Sequence, residues 1–175
     1  MNPNTKRPDK RENLLTLARV IAQRSHDPHT EVGAVIVGPG GEIRSTGFNG
    51  FPRGFQDRLQ ERLETPEKHN WIIHAELNAI FNATRMGVSL KGCELFATVH
   101  PCYECAKAII QVGITDIMID HPLHQAFENY LHESNNTRYR LEIAKQILTE
   151  GRINVRYYIS ERNNPNKIWI GGKPW

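Results

Sequence analysis

The chain has 175 residues, 39% hydrophobic and 23% charged, with 13 glycines and 10 prolines. This composition describes one loop-rich globular domain and excludes two independent cores, a coiled coil or a disordered segment. The formal charge is +3 with scattered basic residues, which argues against a nucleic-acid partner, dependent on clustered phosphate contacts, and for a small anionic ligand.

Residues 1–12 are polar and hold no apolar core of the kind a signal peptide carries, so export is not expected. Leu14, Leu17, Ala18 and Ile21 recur at helical spacing and predict an amphipathic helix over 12–24, stopped by Arg24-Ser25-His26-Asp27-Pro28. Residues 32–37 and 43–48 read as two strands joined into a hairpin through Gly38-Pro39-Gly40-Gly41. The first of them is also the longest apolar run, far short of the roughly 20 residues of a membrane span. Residues 49–70 read as a long polar loop with one helical turn. A helix begins near 71–74 and runs to 85, burying Leu77, Ile80 and Phe81, with Gly87 as its cap.

Next come a strand over 93–99, a helix opened by Pro101 and closed by Gly113, and a strand over 114–120. Helical stretches over 122–132 and 137–150 precede a last strand over 153–159. Helices separate the third, fourth and fifth strands, so those three are expected to be parallel with right-handed crossovers. The expected fold is α/β, a three-layer α/β/α sandwich on a mixed five-stranded sheet occupying residues 1–160. Residues 161–175 form a polar C-terminal tail in which Trp169 and Trp175 have little local structure to bury them. Docking on a partner subunit and packing on the chain's own domain are both open.

Four residues carry the chemistry: His74 and Glu76 in His-Ala-Glu, and Cys102 and Cys105 in Pro-Cys-Tyr-Glu-Cys. Cysteines three apart in the first turn of a helix project from nearly one face, about 300° around and about 4.5 Å along the axis, so both sulfurs can bind one tetrahedral ion. The helix N-terminus favours the thiolates a metal needs, and Pro101 suits that position because its missing N–H has no helical partner to lose. A lone Cys-x-x-Cys fits a redox pair equally well; His74 before a second helix moves the reading to zinc. Three protein ligands are the number of a catalytic zinc with a position open to water. At the first turn of its helix Glu76 can lean toward that position and act as acid and base without binding the metal. The third cysteine, Cys93, reads as core, and the other seven histidines as surface or hydrogen-bonded residues, with the His100 carbonyl a candidate for the pocket wall. Three cysteines are too few for a disulfide framework and fit a reducing cytoplasm.

The H-x-E…P-C-x-x-C pattern is that of the zinc nucleobase deaminases, and the chain resembles the cytidine deaminase-like superfamily. The resemblance is closest to the deoxycytidylate (dCMP) deaminases and spans residues 14–120. It is carried by Arg24-Ser25-His26-Asp27-Pro28, Val32-Gly33-Ala34-Val35-Ile36-Val37, Gly47-Phe48-Asn49-Gly50-Phe51-Pro52-Arg53-Gly54, His74-Ala75-Glu76-Leu77-Asn78-Ala79-Ile80, and Pro101 through Gly113. It implies hydrolytic deamination of dCMP to dUMP and ammonia, one Zn2+ on His74, Cys102 and Cys105, Glu76 as proton shuttle, and a homo-oligomer. It also implies Asn49 at the sugar hydroxyl and the Ala75 N–H at the pyrimidine O2. For a 5′-phosphate, Arg24 with Ser25, or Arg53, have the fitting chemistry. An aromatic wall over the base has His121, His124 and Phe127 as candidates. The nearest alternative is a deaminase of another nucleobase or nucleotide, such as tRNA adenosine or guanine. A zinc-stabilised module without turnover would have no use for Glu76.

Overall fold

Residues 9–56, 60–64, 67–134, 139–159 and 168–175 are described by the computed structural model. The expected helix start at 137 and the tail residues 161–167 lie outside the described residues. Helix α1 (Lys10–Ala22) opens where the Asp9 side chain accepts the Arg11 N–H, satisfying a donor the helix itself leaves unpaired. Strands β1 (Gly33–Val37) and β2 (Ile43–Phe48) form the expected antiparallel hairpin. The stretch read as a loop holds a 3-10 turn (Gln60–Arg62) and a short helix, α2 (Lys68–Trp71). There follow α3 (Ala75–Arg85), β3 (Glu94–Ala97), α4 (Tyr103–Gln111), β4 (Asp116–Asp120), α5 (His121–Glu133), α6 (Leu141–Glu150) and β5 (Asn154–Tyr158).

The strands are ordered β2-β1-β3-β4-β5; β1 is antiparallel to both neighbours, and β3, β4 and β5 are parallel. This is the expected mixed sheet, parallel where helical crossovers separate the strands. Leu14, Leu15 and Ala18 of α1 cover one face against Val35, Phe96 and Met118. On the other face α3, α4 and α6 pack Ile80, Ile109 and Leu148 into the main core with Ile36, Leu95 and Ile117. At the end of β4 the buried Asp120 receives Arg19 of α1 through two hydrogen bonds of 2.8 and 3.0 Å and caps α5 by accepting the Leu123 N–H. One carboxylate therefore ties α1, β4 and α5 together.

Two helices sit rotated from the expected stripe. Helix α1 buries Leu14, Leu15, Ala18, Arg19 and Ala22, leaving Leu17 and Ile21 half-buried. Helix α3 buries Ala75, Glu76, Ala79, Ile80 and Ala83, while Leu77 is half-buried and Phe81 is 51% exposed. The cause is close backbone approach. A Cβ on Gly33 would stand 2.0 Å from the Ala18 carbonyl oxygen, and a Cβ on Gly47 would stand 2.3 Å from that of Ala75. With no side chain on those strand positions, each helix lies on its alanines, and its bulky apolar residues move to the shoulder. Gly113 closes α4 at φ +82, its N–H bonded to the Ile110 carbonyl and the next N–H to Ile109.

The described part of the tail is a hairpin of β6 (Trp169–Ile170) and β7 (Lys173–Pro174). It packs on its own domain, burying Ile168 and Ile170 with Leu123 and Phe127 of α5, while Trp169 and Trp175 remain exposed. Backbone bonds join it to the loop 27–32: the Glu31 N–H donates to the Trp169 carbonyl and the Gly172 N–H to the His29 carbonyl, each at 2.7 Å. Among the described residues no helix is long and apolar enough to cross a membrane.

Candidate active site

Helices α3 and α4 begin side by side, and the side chains at their first turns converge. His74 is the N-cap of α3, in extended backbone. Ile73 before it exchanges both backbone hydrogen bonds with Gly50, and Asn78 and Asn82 donate to the Phe48 and Thr46 carbonyls of β2, each at 2.8 Å. Strand β2 thereby fixes where α3 starts. Cys102 is the N-cap of α4, and Cys105 lies in its first turn. His74 Nδ1 is 3.2 Å from Cys102 Sγ and 3.6 Å from Cys105 Sγ, and the two sulfurs are 3.6 Å apart.

Tetrahedral zinc, with Zn–S of about 2.3 Å and Zn–N of about 2.0 Å, would separate its sulfurs by about 3.8 Å and nitrogen from sulfur by about 3.5 Å. The three edges present agree within a few tenths of an ångström, so the donor set fits the ion as it stands. Among the described residues no other group of three metal-ligating side chains lies close enough to share an ion. A redox pair needs only the two thiols; the imidazole against both sulfurs selects the metal reading. The hydrogen bond from Cys105 holds Cys102 down at about 4, with help from His74. That same bond, burial and the Glu76 charge push Cys105 up. One sulfur is a ready thiolate, and a cation between the two makes the second one also.

Glu76 is buried, with Oε2 3.6 Å from Cys105 Sγ and Oε1 without a hydrogen-bond partner among the described residues. Burial raises its carboxyl above the ordinary range, partly opposed by His74. An unsatisfied carboxylate oxygen beside a metal triad is placed to take a proton-bearing ligand.

A cavity of about 380 Å3 opens onto these residues. Of the residues singled out by sequence, His74, Ala75, Glu76, Cys102 and Asn49 line it, as does Phe127. The Asn49 side chain is held on both sides, its Oδ1 accepting the Val32 N–H and its Nδ2 donating to the Thr30 carbonyl, each at 2.8 Å. Arg24, Ser25 and Arg53 do not line the cavity. Arg24 is exposed, Ser25 donates to the Asn49 carbonyl, and Arg53 reaches Asn82 at the surface.

Two of the lining residues outside the motifs stand out. Lys68 comes from α2, and Tyr139 from the segment before α6. The Tyr139 ring stacks on His74 with centroids 6.1 Å apart and stands edge-on to Phe127 at 4.8 Å, while its hydroxyl donates to the His100 carbonyl. That carbonyl, expected at the pocket wall, instead anchors Tyr139. The aromatic side of the cavity is Phe127 with Tyr139; His121 and His124 lie outside it against Tyr157. An aromatic residue just ahead of a helix is too common a pattern to have marked Tyr139 in advance.

A half-buried imidazole and two buried sulfurs with an adjoining carboxylate, gathered at two helix N-termini on a mixed sheet, form the constellation of the zinc nucleobase deaminases. The family model of the cytidine and deoxycytidylate deaminase zinc-binding region matches residues 8–120, and the chain belongs to that family. It is 41% identical over 112 residues to the deoxycytidylate deaminase of Mus musculus, covering 61% of this chain and 62% of the mouse protein. To the probable deoxycytidylate deaminase of Drosophila melanogaster it is 40% identical over 134 residues, covering 67% of this chain and 65% of the fly protein. The chain thus spans less than two thirds of the length of these curated relatives. The dCMP deaminase of the cyanophage S-TIM5, solved in complex with dCMP and dUMP, is similar with a TM-score of 0.67 and 26% identity, covering 88% of this chain and 100% of that one.

Proposed function

We propose that the chain carries out zinc-dependent hydrolytic deamination of dCMP, yielding dUMP and ammonia. The observation that carries this reading is the buried Glu76 Oε1, without a hydrogen-bond partner among the described residues, beside a donor set of zinc geometry; the similarity to proteins named as dCMP deaminases supplies the substrate. Zinc held by His74, Cys102 and Cys105 supplies, when bound, a water acidic enough to be a nucleophile near neutral pH. Glu76 handles the protons. Of the two that water brings, one ends on ring N3 and the other on the leaving amine, so the C4–N bond gives way to C4=O and ammonia departs.

The Ala75 N–H is assigned to the pyrimidine O2 and Asn49 to the sugar hydroxyl. Beyond its two backbone bonds Asn49 retains one N–H and one lone pair for that task. Phe127 and Tyr139 supply ring faces and edges to the pyrimidine. Arg24, Ser25 and Arg53, off the cavity, are assigned no part. Residues 1–160 form the deaminase domain and 161–175 its tail. Three unpaired cysteines support a reducing cytoplasm as its location. The exposed apolar side chains of Phe81 on α3 and Met86 at its C-cap support a homo-oligomer that covers them.

Ammonia release from dCMP, CMP, deoxycytidine, dCTP, adenosine and guanine by the zinc-loaded protein tests the reading; dCMP should be preferred, and its failure to react overturns the proposal. Glu76→Gln should lower kcat by at least about 10²- to 10⁴-fold while one zinc per chain remains. Undiminished turnover in that variant would remove Glu76 from the proton path.

A further inference from the structure

We infer that Lys68, held in a buried pair with Asp27, reads the 5′-phosphate of the substrate; this rests on the dCMP reading above. Lys68 lies on α2, in the segment that runs directly into His74, and it lines the cavity while only 4% exposed. Its Nζ donates to both Asp27 carboxylate oxygens, at 3.1 and 2.9 Å. Asp27, equally buried, is satisfied from a second direction as well, since its Oδ1 accepts the His29 and Thr30 N–H groups at 2.9 and 3.2 Å.

An ion pair taken out of water is weak evidence of stabilisation, because two apolar side chains of similar volume would serve the fold as well or better. Its place in a cavity wall calls for another role. Among the described lining residues Lys68 is the one lysine or arginine, whereas Asp27, Glu76 and Glu104 all bring carboxylates. Among these side chains the Lys68 ammonium is the cationic group that the metal donor set leaves for a phosphate dianion. An ammonium carries three N–H donors, of which Asp27 engages two, so one remains for a phosphate oxygen. When the ammonium shares its charge with the phosphate, Asp27 keeps its two backbone donors and is not stranded. A nucleoside meets a neutralised pair and gains nothing from it. The pair therefore discriminates by the 5′ group, a task that Arg24 and Arg53 suit by residue type and miss by position.

The test compares dCMP with deoxycytidine in steady-state kinetics, and dUMP with deoxyuridine by calorimetry, using the zinc-loaded wild-type protein, Lys68→Met, Lys68→Arg and the double variant Asp27→Asn/Lys68→Met. Zinc content is measured for each. Lys68→Met should reduce the preference for dCMP over deoxycytidine about 10- to 100-fold, mainly through KM, and weaken dUMP binding by a similar factor. Lys68→Arg should recover most of the preference. Should Lys68→Met fail to fold because Asp27 is left as an unpaired buried charge, the double variant, which removes both charges, must show the same loss. A wild-type protein inactive on dCMP would defeat the substrate reading itself. A wild-type protein active on dCMP, with variants that lose nucleotide and nucleoside binding alike or lose neither, would defeat the role of Lys68.

Discussion

The metal wall of the cavity and its mouth are built in opposite ways. The wall consists of two helix starts, each delivering its donors within a single turn, and β2 holds α3 in place through the Asn78 and Asn82 side chains. Its geometry is set locally, since Cys102 at the N-cap of α4 and Cys105 in the first turn lie three residues apart with their sulfurs 3.6 Å from each other. The mouth is gathered from the loop 27–32, α2, α5 and Tyr139, with the β6–β7 hairpin bonded to the loop from outside, and no single element sets how these parts sit relative to one another. On the proposed reading, the metal donors sit on rigid local elements, and the fit to a substrate sits on long-range contacts. Loops carry specificity on such scaffolds because they can vary without disturbing the ligand geometry.

Substitutions can break or sharpen that contrast. The largest effect is expected from Cys105→Ala, which removes one of three donors and should abolish both stoichiometric zinc and turnover; a variant that still bound zinc would show the wall to be less dependent on each ligand than its geometry implies. Gly47→Ala drives a Cβ to 2.3 Å from the Ala75 oxygen and the Ala79 nitrogen. It should cost about 3 kcal/mol in urea unfolding and lower kcat by displacing the start of α3.

The α5 backing of the mouth should add a pH dependence. His124 is buried against His100 and Tyr157, its Nδ1 unpartnered among the described residues and its Nε2 3.3 Å from Glu128, with His121 and Lys145 adding charge nearby. Burial, reinforced by its cationic neighbours against Glu128, holds it down at about 4. An unfolded histidine titrates near about 6.5, so the unfolded chain takes up the proton first as the medium is acidified. The contribution is complete above about pH 6.5 and is lost toward pH 4, amounting to about 2 kcal/mol between pH 7 and pH 5. His124→Phe should flatten this slope in unfolding measured across that range. The smallest effect is expected for Tyr139→Phe, which keeps the ring and deletes the bond to the His100 carbonyl, for a loss of about 1 kcal/mol with zinc content unchanged.

The same contrast governs what the amino-acid sequence discloses. His74, Cys102 and Cys105 are legible because a Cys-x-x-Cys turn and an imidazole at a second helix start make up the donor set of one ion, and Glu76 because two residues past His74 it can lean toward the open position. The parallel strands β3, β4 and β5 are legible because a helix between strands leaves few other connections. Leu17, Ile21 and Phe81 mislead, since apolar periodicity marks a helix without revealing that Gly33 and Gly47 on the facing strands draw the alanines inward instead. Lys68 and Tyr139 leave no local signature; each matters only for what another part of the chain sets beside it. Arg24 and Arg53 show the converse, with suitable chemistry in segments that the fold turns away from the cavity.

The β6–β7 hairpin has a consequence for the order of assembly. The Trp169 N–H reaches Glu31 Oε2 across 138 residues of sequence, and the Gly171 N–H reaches Thr30 Oγ1 across 141. Contacts of such high contact order form late, because the intervening chain must be ordered before they repay its closure. The stretch bearing Asp27 is therefore expected to gain its brace after the metal donors have met, since His74 and Cys102 lie only 28 residues apart.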